Sequence, residues 1–269
     1  MSTLSMMHDL NLTLIQTPLI WENPEANLEM LDRKIDSLPE TAELVILPEM
    51  FTTGFSMRPE EFAGSMDDAP VRWMLMKTKQ KNIILAGSLM IREDDHYYNR
   101  LLWVLPNGMM GFYDKRHLFG YAEENQHYQP GEKRLIARVK GWRICLVVCY
   151  DLRFPVWLRQ PPEPENRYDL LVCVANWPGS RAVAWNTLLR ARAIENECYV
   201  AGVNRTGVDG NGIAYKGDSC VIDPAGELLL TAGDDEASVL DCTISRGVIN
   251  DQRRRFPFLD DADRFFMEK

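Results

Sequence analysis

Trp142-Arg-Ile-Cys-Leu-Val-Val-Cys-Tyr-Asp-Leu-Arg-Phe-Pro155 is an apolar run that stops at a cysteine, passes a short polar turn and meets a proline. Trp142 to Val148 reads as a buried strand, and Pro155 opens a helical stretch, since a missing N–H is harmless in a helix's first turn. The same order continues downstream. Leu170 to Ala175 is a strand, residues 182–197 an amphipathic helix carrying Trp185, Leu188, Leu189 and Ala193, and Tyr199 to Asn204 a strand. Gly207, Gly210 and Gly212 then loosen a loop. A hairpin closes the half: 218–222, a turn at Asp223-Pro-Ala-Gly226, then 227–230, with a further strand at 237–244.

The first half has a matching order. Leu10, Leu12 and Leu14 alternate along the strand Leu10–Gln16. A helix follows, with Asn23 as N-cap, Pro24 at its first position, and Leu28, Leu31, Ile35 and Leu38 stepping by three and four until Pro39. Residues 44–47 form a short buried strand, and 68–81 a helix with Val71, Met74, Leu75 and Thr78 on one face. Strands at 83–90 and 97–105 lead to the turn Asn107-Gly108, which returns the chain through 109–114. Two halves of this kind predict an α/β fold in which two sheets pack face to face with helices outside. No linker-like stretch divides them, so residues 1–269 read as one domain. From Ser245 a tail carries Arg253, Arg254, Arg255, Phe256 and Phe258, either an arm for a partner subunit or a solvated basic turn.

Hydrophobic residues are 46% and charged residues 26% of the 269, the balance of a soluble globular protein. The net charge of −9 argues against nucleic-acid or anionic-membrane partners, because no basic surplus exists to neutralise phosphates. A small anionic substrate stays open, since one pocket arginine can outweigh a diffuse negative surface. Met1 to Leu10 carries no Lys, no Arg and no long apolar run, unlike a secretory signal. No segment approaches the roughly 18 apolar residues of a membrane helix, and the expected location is cytoplasmic. Six cysteines, at 145, 149, 173, 198, 220 and 242, form no C-x-x-C pair and read by default as buried, reduced thiols.

Three strand ends break that blandness. Ile46-Leu-Pro-Glu-Met50 puts a carboxylate directly after a buried strand; Glu49 is either a solvated loop residue or a side chain presented to a cleft. Tyr113-Asp-Lys-Arg-His-Leu-Phe119 ends another strand with charge, as a polar terminus or as a lysine that steadies an oxyanion. Cys149 ends the third, in a strand–turn–helix arrangement with the mechanics of a nucleophile elbow, where a helix N-terminus would lower the thiol pKa from about 8.5. A thiol needs a base and an oxyanion partner. Of His8, His96, His117 and His127, only His117 and His127 suit a Cys–His pair, and neither has a motif around it.

Leu47-Pro-Glu-Met-Phe, Asp114-Lys-Arg-His-Leu-Phe and Cys149-Tyr-Asp-Leu-Arg-Phe-Pro resemble, in order and separation, the signature blocks of the nitrilase (carbon–nitrogen hydrolase) superfamily. The resemblance implies a four-layer αββα sandwich and a Glu–Lys–Cys triad: Glu49 as general base, Lys115 as the oxyanion-stabilising lysine, Cys149 as nucleophile. It implies that the Tyr150 N–H shares the oxyanion hole, and that a second glutamate shortly before Pro130-Gly131 joins the site, Glu124 with Glu123 as rival. Residues 49–57, Lys115-Arg-His-Leu-Phe119 with Ala122-Glu-Glu124, and Ala175-Asn-Trp-Pro178 are most similar to the bacterial omega-amidase branch. That branch implies hydrolysis of the ω-amide of small 2-oxo acids such as 2-oxoglutaramate, no metal or organic cofactor, a homodimer, and Phe55, Trp177 and Arg153 near the substrate. For Arg153 an ion pair with Asp151 is the competing expectation. The same machinery would serve a nitrile, an N-carbamoyl amine or a deaminated peptide amide; more distant alternatives are a metal site on Cys145 and Cys149 and a non-catalytic interaction protein.

Overall fold

Strands that are apolar at almost every position have to be covered on both faces, and that requirement organises the chain. The computed structural model describes residues 8–161, 163–233 and 236–267; the first seven residues of the Met1–Leu10 stretch lie outside the described residues. In chain order the elements are β1 (Leu10–Gln16), α1 (Pro24–Asp36), β2 (Leu44–Ile46), α2 (Pro59–Phe62), α3 (Ala69–Lys81), β3 (Ile84–Glu93), β4 (His96–Val104), β5 (Met110–Asp114), α4 (Glu124–His127), β6 (Leu135–Val139), β7 (Trp142–Val148), α5 (Pro155–Leu158), β8 (Leu170–Ala175), α6 (Ala182–Asn196), β9 (Tyr199–Asn204), β10 (Thr206–Val208), β11 (Ala214–Lys216), β12 (Cys220–Ile222), β13 (Leu228–Thr231), β14 (Ser238–Ile244) and α7 (Arg246–Arg255).

They form two six-stranded sheets, β14-β1-β2-β3-β4-β5 and β6-β7-β8-β9-β12-β13, with β10–β11 as a separate hairpin. Within each, three strands run parallel (β1-β2-β3 and β7-β8-β9), and the flanking pairings are antiparallel. The halves therefore repeat, as expected. Side-chain alternation separates two layers of core. Leu10, Leu12, Leu14, Ile46 and Ala86 join Leu146, Val172 and Val203 of the other sheet in one apolar cluster. Their strand neighbours Ile15, Val45 and Leu85 pack with Leu31 and Ile35 of α1 and Val71 and Met74 of α3. On the second sheet, α6 sits so close that a Cβ on Gly202 would lie 2.6 Å from Leu189 Cδ1, which explains a glycine inside an otherwise apolar strand.

Four details differ from the sequence reading. Strands β3 and β4 extend to a two-residue turn at Asp94 and Asp95, both at positive φ, which does the work expected of a glycine turn. β6 was not anticipated; it is an edge strand, paired only with β7, and its arginine-containing alternation reads weakly. The glycine-rich loop holds the β10–β11 hairpin. β14 leaves the second half and pairs with β1, tying the two sheets.

The tail forms α7 and docks on its own chain. Ile249 is buried, and Arg246 and Arg253 reach the buried carboxylate of Asp169 at 2.7 and 2.8 Å, while Arg254 and Arg255 stay exposed. Asp169 also accepts the Arg143 backbone N–H at 2.9 Å, so one carboxylate joins the starts of β7 and β8 to the tail. Asp169→Ala strands these cations, and the expected loss is about 3 kcal/mol in urea unfolding, with faster limited proteolysis after residue 245. An unchanged midpoint and cleavage pattern would contradict this account.

Candidate active site

The carboxyl ends of β2, β5, β7 and β8 converge, the place where parallel sheets present loop residues to a ligand. Glu49 follows β2 and is fully buried, as is Glu124 on α4; Lys115, directly after β5, is nearly so. The Lys115 ammonium bridges the two carboxylates: Nζ lies 3.0 Å from Glu49 Oε1 and 2.9 Å from Glu124 Oε2. Asn99 of β4 donates to Glu49 Oε1 at 2.7 Å and reaches Glu124 Oε1 at 3.3 Å. Asn176, after β8, donates its backbone N–H to Glu49 Oε2 at 2.8 Å and its side-chain Nδ2 to the Glu49 carbonyl at 2.6 Å. Both oxygens of Glu49 are thus oriented by donors from both sheets. Glu124 is held at the other end by the Phe119 N–H, 2.6 Å from Oε2. Glu123, the rival, is exposed and serves only as a left-handed connection into α4.

Cys149 begins the turn after β7 at φ +44°, a region that a side chain adopts only when its surroundings enforce it. Asp151 does so. Its buried carboxylate accepts from the Val148 N–H at 3.1 Å, the Tyr113 hydroxyl at 2.8 Å and the His117 N–H and Nδ1 at 2.9 and 2.8 Å. This overturns the Asp151–Arg153 ion pair: Asp151 is saturated by other donors, and Arg153 turns away to lie over the Trp177 ring, 4.7 Å from its centroid. His117 is not placed to act as the thiol's base, because it lies outside the cavity that Cys149 lines, with its Nδ1 bound to Asp151 and its ring stacked on Phe154 at 3.7 Å. The Cys149 thiol instead lies 3.9 Å from the Asn176 carbonyl. Cys145, four residues earlier on β7, is sealed in the core.

Above this floor is a cavity of about 300 Å³ lined by Lys115, Cys149 and Asn176, with Phe55, Phe119, Tyr121, Tyr150 and Trp177 supplying aromatic walls and Arg153 and Arg181 the cations. No histidine lines it. The Carbon-nitrogen hydrolase family model matches residues 11–254. The chain belongs to the carbon–nitrogen hydrolase family. Omega-amidase YafV of Escherichia coli (strain K12) is 46% identical over 259 residues, 96% of this chain and 99% of that protein. The 2-oxoglutaramate amidase of Bacillus subtilis (strain 168) is 31% identical over 84% of this chain and 87% of its own. Among solved structures, XC1258 from Xanthomonas campestris, a CN-hydrolase superfamily protein with an arsenic adduct in the active site, has a TM-score of 0.94 at 43% identity, covering 97% of this chain and 100% of that one. The αββα sandwich is accordingly that of the nitrilase superfamily.

Charge distribution explains what this hydrolase site can do at rest. Burial alone would discharge Lys115, but the Glu124 and Glu49 carboxylates outweigh it and hold the ammonium above its ordinary pKa. Burial raises the Glu124 pKa, with Lys115 opposing and Glu49 adding to it. For Cys149, burial and then the Glu49 charge push the thiol well above its usual range, against the pull of Lys115. The expected helix-assisted thiolate is therefore not what the site holds. The turn that Cys149 begins is a five-residue 3-10 segment, too short to offset burial beside a carboxylate. Such a thiol stays protonated until a base takes its proton.

Two members of the floor escaped the sequence reading. Asn99 sits inside the strand 97–105, where a buried amide among apolar residues was the available signal. Asn176 lay within the Ala175–Pro178 block, without a role. The ultraviolet difference spectrum, wild type minus Cys149→Ala, should show no thiolate at neutral pH and ionisation only above the ordinary thiol value of about 8.5. A thiolate already present at neutral pH would refute the assignment.

Proposed function

We propose that this protein is an omega-amidase that hydrolyses the terminal carboxamide of a small 2-oxo acid, 2-oxoglutaramate being the reference substrate. The observation that carries this reading is the Glu49–Lys115–Glu124 ion cluster beside Cys149, opening into a small cavity that Arg153 also lines without a carboxylate partner among the described residues. Similarity over 96% and 84% of the chain to proteins named for such activities, at 46% and 31% identity, supports it.

In this mechanism Cys149 Sγ attacks the amide carbon while Glu49 takes the thiol proton. An ammonium has three donors; Lys115 meets Glu49 Oε1 and both oxygens of Glu124, and since one bifurcated N–H can serve the Glu124 pair, one donor is left for the oxyanion, joined by the Tyr150 N–H. Collapse of the tetrahedral species breaks the C–N bond, and Glu49 returns its proton to the nitrogen, which leaves as ammonia. A carboxylate-activated water then attacks the thioester carbon, the C–S bond breaks, and Sγ recovers a proton. Glu124 keeps Lys115 charged and aimed throughout. Arg153, supported by Trp177, binds the acid end of the substrate, and Phe55 walls the carbon chain.

Cys149→Ala should abolish ammonia release from 2-oxoglutaramate while leaving the thermal midpoint nearly unchanged. Across a panel, kcat/KM should be highest for ω-amides of 2-oxo acids, ahead of nitriles and N-carbamoyl amino acids. Retained turnover in the alanine variant, or a better nitrile substrate, would sink the reading.

The reading extends to assembly and location. Val156, Phe265, Phe266 and Met267 are exposed apolar residues around α5 and the tail, a surface suited to self-association in a homodimer. Sedimentation velocity should give about twice the 30.9 kDa chain mass, and Phe266→Asp with Val156→Asp should shift it toward the monomer; a monomeric wild type would exclude it. Free thiols at all six cysteines fit a reducing cytoplasm, and no described helix is long and apolar enough to cross a membrane.

A further inference from the structure

We propose that Arg181 is a specificity-determining residue that, opposite Arg153, binds the carboxylate end of the substrate and makes the site select anionic over neutral amides. The inference rests on the amidase reading above and adds a residue that neither the motifs nor the triad single out.

Arg181 closes the short turn Gly179–Arg181 between Pro178 and α6 and lines the same cavity as Cys149. Its guanidinium lies over the Phe119 ring, 5.2 Å from the centroid, as that of Arg153 lies over Trp177 at 4.7 Å. Stacking on a ring fixes the plane of a guanidinium and leaves its N–H edge free, the edge that pairs bidentately with a carboxylate. Among the described residues neither guanidinium has an acidic partner, and both line the cavity that holds Cys149.

Two ties place Arg181 relative to the chemistry. The Trp177 indole N–H donates to the Arg181 carbonyl at 2.9 Å, so the ring that supports Arg153 also anchors the Arg181 backbone. Phe119, whose ring carries the Arg181 guanidinium, gives its N–H to Glu124 at 2.6 Å.

The sign of the charges sets the substrate's direction. At the floor Lys115 is already matched by two carboxylates, so a substrate carboxylate placed there meets Glu49 and Glu124 instead of a free cation. Floor residues are buried, Tyr121 and Ser180 at the rim are exposed, and the two arginines are half-buried between them. A molecule with an amide at one end and a carboxylate at the other therefore enters amide first. This cationic collar is local, for the chain as a whole carries −9.

Arg181→Gln and Arg181→Lys, made in the full-length chain and checked for unchanged melting, would be compared on 2-oxoglutaramate and on pentanamide, a neutral amide of equal carbon count. Arg181→Gln should raise KM for 2-oxoglutaramate about 10- to 100-fold, the loss of one charged hydrogen-bonding partner, with kcat within about threefold. The anionic-to-neutral ratio of kcat/KM should fall by a similar factor, and Arg181→Lys should recover part of it. An unchanged ratio, or an equal loss on both amides, would overturn the inference, as would a wild type indifferent to substrate charge. Should the wild type prefer some other amide to 2-oxoglutaramate, the omega-amidase reading fails, and the ratio measured on the anionic and neutral forms of that amide decides Arg181 by the same criteria.

Discussion

A lysine ammonium held between two glutamates, out of contact with water, is the interaction on which the rest of the site depends. Taking three ionised groups out of water is costly, and the arrangement survives only because each charge faces an opposite one and the remaining oxygens are hydrogen-bonded. Asn99 and the Asn176 N–H supply those bonds to Glu49, and Phe119 supplies one to Glu124. Asn99 belongs to one sheet and Asn176 follows a strand of the other, so the cluster is also a place where the two halves of the sandwich are held in register. Its geometry is set by the fold, and its charge state by mutual pairing rather than by solvent.

The two-sheet repeat makes that pairing possible. β2 and β8 occupy equivalent central positions, and their carboxyl ends deliver Glu49 and Asn176 to one point. β7 brings Cys149 beside them from the second sheet, and β5 brings Lys115 from the edge of the first. Gly131 shows how tightly Lys115 is placed: its N–H donates to the Lys115 carbonyl at 2.9 Å, and a Cβ there would lie 2.1 Å from the Asp114 carbonyl oxygen. The Pro-Gly pair that helped to mark the second glutamate in the sequence is thus a packing requirement at the lysine.

Much of this was legible beforehand because polar residues at strand ends contradict the apolar runs they terminate. Glu49, Lys115 and Cys149 each did so, and a shared block pattern joined them. Elements held by long-range pairing were harder to see. β6 alternates weakly because one face of an edge strand needs little apolar cover, and β14 reads as a continuation of the second half until its register with β1 is known. Asn99 and Asn176 are ordinary amides whose importance comes only from what lies opposite them. Asp151 looked like a partner for Arg153 at a separation of two, yet three-dimensional packing brings it Tyr113 and His117 from a distant strand end.

The thiol shows most plainly why local rules stop short. A cysteine at the head of a helical turn suggests a lowered pKa, yet Glu49 lies beside it and burial acts on both. The two effects have a common consequence. In the proposed reaction, a carboxylate that disfavours the thiolate is, by the same Coulombic interaction, the group that receives its proton once the negative charge can move onto a substrate oxygen near Lys115. The charge created by attack is then transferred from sulfur, where the site opposes it, to oxygen, where Lys115 favours it. Loss of the thiol proton is thereby coupled to attack on the acyl carbon, because only then does the new charge reach an oxygen that the lysine can stabilise.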